Sequence, residues 1–379
     1  MIRSSLCAAL AAFAALATVL AVRAPSDALP SFSMQTGLQC DACHTSIRST
    51  NDLGQAYLRN DMRLPNLGLG GKPVVAVRGQ FAYTSEPDAS NQLPKATLDE
   101  LEVFLAARVT PQVSVAGQFY VIDGGQIGAV REAWAQYSTR GSFGGAPVRF
   151  TVGSVTLPLP VDPETFRQTN QHYAIFDQTV GANPFTLIDP HNAVTVALGN
   201  PVRGSSATFA AVEAHDKQSG LPRNGTDRMI QAQEAIGGLV LSVYDYTGRR
   251  QLGDVPDSFE RRGVGLNLYR GRLAVETALQ TGYNSSPNGD GVGIASSGGF
   301  AQVRWQFPHG TFGIVRYDGV NDSSGVFARS LTIGGTHLLS RGLAIEAEDV
   351  IEHGERTKHT LNASLRFGVS NTRLGSGAY

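Results

Sequence analysis

Cys40-Asp41-Ala42-Cys43-His44 is the group of residues in this sequence best equipped for chemistry. Two thiols three positions apart can each add to one vinyl group of a porphyrin. The histidine that follows then lies under the iron as its proximal ligand. The pattern points to one covalently bound haem c. Three other readings compete. A structural zinc site needs a second ligand pair at suitable spacing, and Cys7 is the one remaining cysteine. A thioredoxin-like pair needs a βαβ setting, which the flanking pattern lacks. Chance is the third, because three fixed positions make a short pattern.

What precedes the motif favours haem, since haem c is attached after export. Arg3 supplies a positive start, and Leu6 to Val22 is an almost unbroken apolar run. Val22-Arg23-Ala24 or Ser26-Asp27-Ala28 then offers small residues for cleavage. The run is short for a transmembrane anchor, and Pro25 and Pro30 follow at once. Residues 1–28 therefore read as a signal peptide. Cys7 falls inside it with no lipobox, which leaves Cys40 and Cys43 and no disulfide framework.

The sixth position on the iron has several candidates. Met62 follows the motif at a suitable distance, and a thioether there would raise the potential. A lone Met, however, is more often packing than ligand. Met34, His172, His191 and an open coordination site are the alternatives.

These residues need an element to shelter them. Residues 29–72 form the haem segment, and at about forty residues it lies near the floor at which a chain folds alone. The rest of the chain, 73–379, is the obvious cover. Its composition suits that role, with 379 residues in all, 17% of them charged, a net charge of -1 and 43 glycines. That balance implies no general attraction to nucleic acid. It fits an all-β chain with many turns, or a barrel with one face in lipid.

From Val74 onward, segments of about ten residues alternate apolar and polar, as transmembrane strands do. Leu273, Val275 and Leu279 alternate with Ala274, Glu276, Ala278 and Gln280. Val303, Trp305 and Phe307 alternate with Gln302, Arg304 and Gln306. Leu361, Ala363, Leu365 and Phe367 alternate with Asn362, Ser364 and Arg366. Val77 and Phe81 oppose Arg78 and Gln80, Val103 and Leu105 oppose Glu102, and Ile345 opposes Glu346 and Glu348. A soluble β-sandwich also alternates. Repeated Glu, Arg and Gln on the polar faces suit a hydrated lumen better. So does the alternation of short turns with longer polar loops, such as Asn284 to Gly289. The expectation is an all-β transmembrane antiparallel barrel of 14–16 strands, sixteen preferred, with a short N-terminal haem-binding plug. One stretch fits poorly: Leu157 to His191 holds Pro158, Pro160, Pro163, Pro184 and Pro190 and cannot be all strand. A solvated loop is expected there. The alternative is one strand near Tyr173 to Val180 with a segment folded into the lumen, which would bring His172 near the haem.

The stretch around the motif resembles the opening of the fused outer-membrane cytochrome–porin family, the iron-oxidising outer-membrane c-type cytochromes. The matching residues are Pro30, Phe32, Gln35, Thr36, Gly37, Cys40, Cys43 and His44, with Leu53-Gly54 further on. Ser49 to Asp52 and Gln55 depart from the proline-rich link and basic pair that this family often has around that glycine. VREAWAQY followed by VRFTVGSVTLPLP also looks like a strand pair of phosphate-selective porins. The resemblance implies a haem plug in an outer-membrane barrel that moves electrons across the membrane. Outer-membrane lipid would surround it, extracellular Fe(II) would be the donor, and a periplasmic cytochrome would be the acceptor. A diffusion porin whose haem-bearing plug gates or senses is the alternative of a different class, and a soluble periplasmic cytochrome with a β-sandwich is a third. No acid–base or nucleophile constellation stands out.

Overall fold

The computed structural model describes residues 74–370, apart from 87–94, 144–145, 162, 164–168, 200–203, 216–221, 253–254, 271, 308–310, 341–342 and 355–356. The signal segment, Met34, Cys40, Cys43, His44 and Met62 lie outside the described residues.

Alternation of β-branched and aromatic residues with polar ones makes these segments strands, because a strand turns successive side chains to opposite faces. In chain order they are β1 (Val74–Ser85), β2 (Lys95–Arg108), β3 (Val113–Asp123), β4 (Gln126–Ile127), β5 (Val130–Phe143), β6 (Ala146–Val155), β7 (His191–Gly199), β8 (Gly204–His215) and β9 (Pro222–Ile236). The second half holds β10 (Leu239–Leu252), β11 (Val255–Arg270), β12 (Leu273–Asn284), β13 (Ile294–Phe307), β14 (Thr311–Asp322), β15 (Phe327–Ser340), β16 (Leu343–His353) and β17 (Thr357–Ser370). One short helix, α1 (Ala174–Asp177), lies between β6 and β7. Strand β4 is a two-residue extension of the β3–β5 hairpin, so sixteen long strands remain.

Each long strand pairs antiparallel with the next, and the last returns to the first. Val77 of β1 lies opposite Val369 of β17 and opposite Val103 of β2. Closure leaves no sheet edge and pairs the backbone throughout, the condition for a sheet to cross a bilayer. The expected sixteen-stranded barrel is what the chain forms.

The two faces sort as the alternation requires. On β12, Ala274, Glu276, Ala278 and Gln280 are buried toward the interior, while Leu279 is 63% exposed. On β13, Gln302 and Arg304 are buried, while Val303 and Trp305 are each 45% exposed. Val264, Val315, Phe209 and Ile230 continue the outward apolar surface. Apolar outside and polar inside is the reverse of a soluble barrel, and it places the chain in an outer membrane. No helix among the described residues is long and apolar enough to cross a membrane; crossing is by strands of up to 16 residues.

Connections differ between the two ends. Gly237-Gly238 joins β9 to β10 and residues 271–272 join β11 to β12, both at one end. Residues 285–293 and the long segment 156–190 lie at the other. In outer-membrane barrels the short turns face the periplasm. Val74 and Ser370 both lie at the short-turn end, so the segment before Val74 joins the barrel there.

Segment 156–190 departs from expectation. It is not a solvated loop, and Tyr173 to Val180 is not a strand. Leu157, Leu159, Val161, Tyr173, Ile175, Phe176, Phe185, Leu187 and Ile188 are all buried, in one cluster with Phe259 and Phe300 of the wall. The segment folds inward because it carries more apolar side chains than a solvated loop could leave exposed. Its prolines keep it from joining the sheet.

Candidate functional site

The inward segment is held by buried polar groups from strands far away in sequence. Arg316 on β14 is the central anchor. Its Nε donates to Asp318 Oδ2 at 2.6 Å, and its Nη1 donates to Thr169 Oγ1 at 2.6 Å. Its Nη2 donates to the carbonyls of Gln171 at 2.9 Å and His172 at 3.1 Å. The guanidinium also lies 4.8 Å from the Tyr173 ring centroid, in reach of a cation–π contact. Asp318 completes the clasp, because its Oδ1 accepts the backbone N–H of Ala174 at the start of α1.

Aromatic packing fills the space beside this clasp. The rings of Tyr173 and Phe300 are 4.3 Å apart, and Phe176 meets both edge-on. Tyr173 is fully buried, and burial pushes its hydroxyl well above the usual phenol range. The Arg316 charge pulls the other way and does not compensate.

Two further anchors tie down the flanks. Asn170 donates its N–H to Glu348 Oε2, and its Oδ1 accepts from Gln80 and Arg366. Arg366 is itself paired with Glu346 at 2.7 Å, both almost fully buried. At the loop end of the barrel, Asp257 accepts from Asn183, Asn284 and the backbone of Ser286. Beside it, Phe185 stacks on Tyr246 at 4.6 Å. Tyr246 and Arg250 both donate to Asp227.

Glycines in the wall let the segment approach. A Cβ on Gly265 would stand 2.2 Å from the Pro160 ring, and one on Gly298 would stand 2.8 Å from Ile175. Asn267 and Gln280 then donate to the carbonyls of Pro160 and Ile175.

The polar faces read from the sequence are the lumen wall: Gln80, Glu102, Glu276, Gln280, Gln302, Arg304, Glu346, Glu348 and Arg366 are all buried on the inner side. Of the histidines considered as iron ligands, His172 sits on the inward segment with its Nδ1 3.2 Å from Asp177 Oδ2. His191 opens β7 against Phe185, with its Nε2 3.1 Å from the Thr186 carbonyl. The structure thus puts both histidines inside the barrel. Cys40, Cys43, His44 and Met62 fall outside the described residues. Among the described residues no group of three or more His, Cys, Asp or Glu side chains could hold a metal ion. The anchors Arg316, Asp318, Asn170 and Asp257 were not singled out from the sequence, since their partners lie up to 196 positions away.

No family model and no curated protein matches the chain. Solved structures share its fold. The anion-selective porin from Comamonas acidovorans aligns with a TM-score of 0.61 at 13% identity, over 79% of this chain and 99% of that one. OmpF of Salmonella typhi, in complex with daunomycin, gives 0.61 at 11% identity, over 79% and 98%. The outer membrane channel DcaP of Acinetobacter baumannii gives 0.57 at 10% identity, over 78% and 96%. At these identities the likeness is one of fold.

Proposed function

We propose that the chain is an outer-membrane monohaem cytochrome fused to a porin-like barrel, passing electrons across the membrane. One observation carries this reading. A Cys40-x-x-Cys43-His44 motif lies in the same polypeptide as a closed membrane-spanning barrel, and the segment bearing it joins that barrel at its short-turn mouth. The donor set fits the group: two thiols at thioether spacing and an adjacent imidazole are what covalent haem attachment needs. When bound, the haem supplies one-electron exchange between ferrous and ferric iron. Cys40 and Cys43 would hold it, and His44 would ligate the iron.

The barrel's part is insulation. Its closed wall and apolar exterior keep the bilayer apart from whatever occupies the lumen, and limited water access tunes a potential. The inward segment narrows that lumen and is held to the wall by Arg316 and Asp318. Extracellular Fe(II) at the loop end is the donor of this reading, and a periplasmic carrier cytochrome at the short-turn end is the acceptor. The test is a haem stain with a reduced-minus-oxidised spectrum on the purified outer-membrane fraction, using Fe(II) as reductant. A c-type absorbance that develops with Fe(II) is expected. Its absence would remove the reading.

A second reading has its own support: a diffusion channel whose haem-bearing plug gates or senses. Barrels of sixteen strands leave an aqueous lumen, and the wall here is lined with charged and amide side chains. Planar-bilayer recordings on the haem-loaded protein separate the two. A large steady conductance supports the channel; a sealed barrel with redox-active haem supports the conduit.

A further inference from the structure

On the outer wall, β13 and β14 leave a recess that faces the membrane, bounded by β12 on one side and β15 on the other. Its floor is Gly299, Ala301 and Gly319, where the outward side chain is absent or small. Pairing lines up Leu279, Gly299, Gly319 and Arg329 as one row across the four strands. Larger outward side chains stand around the floor. Leu279 and Tyr317 lie toward the hydrocarbon, and Phe327 lies toward the loops. The space enclosed is about 380 Å³, which falls within the range of small-ligand sites. Aromatic residues at this level are common to outer-membrane barrels. The glycine floor is what turns the girdle into a groove.

The loop end of this groove is cationic. Arg329 stands near the start of β15, with its guanidinium 4.2 Å from the centroid of the Phe327 ring. That contact positions the side chain without neutralising it, and among the described residues no carboxylate pairs with it. Outward carboxylates on other strands are engaged elsewhere: Asp245 and Glu260 with Arg262, and Asp349 with His359. Asn321 lies opposite Phe327, and its Oδ1 accepts from Ser297 Oγ at 2.6 Å. Its amide N–H groups are left to donate.

We propose that this groove holds a phosphorylated lipid of the outer leaflet, with an acyl chain over the glycine floor and the phosphate on Arg329 and Asn321. A guanidinium presents a planar fork that matches phosphate oxygens, and it keeps that fork free when it stacks on a ring. The loops face outward, so the edge of the apolar belt beside them is the level of the outer headgroups. Cationic side chains at a membrane surface attract anionic headgroups. The recess and the cation together meet both halves of one amphiphile. The proposal is independent of what the lumen carries.

The experiment uses the full-length protein, extracted from outer membranes in detergent, stripped of lipid by exchange and titrated by native mass spectrometry. The probes are dioleoyl phosphatidic acid, dioleoylglycerol, which has the chains without the phosphate, and inorganic phosphate. Wild type is compared with Arg329→Gln, Gly319→Leu and Arg228→Gln. Gly319→Leu fills the groove and keeps every charge, and a Cβ there meets nothing closer than 3.8 Å. Arg228 is an exposed arginine on β9, away from the groove. Heat-modifiable gel migration checks that each barrel is folded. Wild type is expected to bind phosphatidic acid about tenfold or more tightly than dioleoylglycerol, and inorganic phosphate should not compete. Arg329→Gln should weaken phosphatidic acid by about tenfold, Gly319→Leu should weaken it as well, and Arg228→Gln should leave it unchanged. Wild-type binding by both groove variants overturns the proposal. So does an equal loss in Arg228→Gln, the mark of diffuse surface charge, and so does displacement by inorganic phosphate, the mark of a free-anion site. A wild type that binds no phosphatidic acid, and forms an oligomer that the groove variants break, gives this face to a second copy and ends the proposal.

Discussion

Arg316 and Asp318 show what a single buried pair does for this molecule. Neither side chain is more than 1% exposed, and each also holds the inward segment directly. Truncating Arg316 to Ala leaves Asp318 buried without its partner, a change that costs about 3–5 kcal/mol. The expected outcome is a lower unfolding temperature and faster proteolysis within 156–190. Arg316→Ala with Asp318→Ala should recover part of the loss, because no charge is then stranded. Tyr173 supports a pH prediction. Its hydroxyl is raised in the folded protein above the ordinary value, so folding favours the neutral form. The stability this contributes is complete below the unfolded value of roughly 10 and declines as pH rises past it. Tyr173→Phe should therefore lose less stability than wild type between neutral and strongly alkaline pH, read by denaturant unfolding at each. The hydroxyl's contact with Gln302, at 3.5 Å, is weak, so the neutral-pH cost should be small.

At the scale of elements, the strands were legible and the inward segment was not. A period of two needs only local sequence, and Glu276, Gln302 and Arg366 could be assigned to the inner face from their neighbours alone. Segment 156–190 has no period to read. Its fold is set by Gly265 and Gly298, which admit Pro160 and Ile175, and by Arg316, which reaches Thr169 across 147 positions. Five prolines spoke against a strand, yet nothing local distinguished burial in a lumen from exposure to water. The haem reading of Cys40 to His44 rests on five consecutive residues alone, and these lie outside the described residues. The fit at Gly265 is open to test. Gly265→Leu, which faces inward on β11 and leaves the lipid surface untouched, should displace the segment near Pro160. The barrel should still migrate as folded on unheated gels, while single-channel conductance rises and becomes noisier. An unchanged conductance would show that the Pro160 contact does not constrict the lumen.

For the whole molecule, the outward belt decides where it can reside. Leu279 lies in the middle of β12 and is 63% exposed to what surrounds the barrel. If that surrounding is hydrocarbon, Leu279→Arg should cost about 2–4 kcal/mol when folding is measured into bilayers. A cost near zero would indicate a polar neighbour at that point. Closure sets a further condition, one of timing. The first strand is zipped to the last, so the cylinder cannot shut until the entire polypeptide has been delivered to the membrane. Anything wider than the open mouths that is to end up inside must be on the chain before the final strand docks. On the proposed reading a porphyrin would have to be attached before insertion, and a chain that missed attachment would close around the 156–190 segment alone.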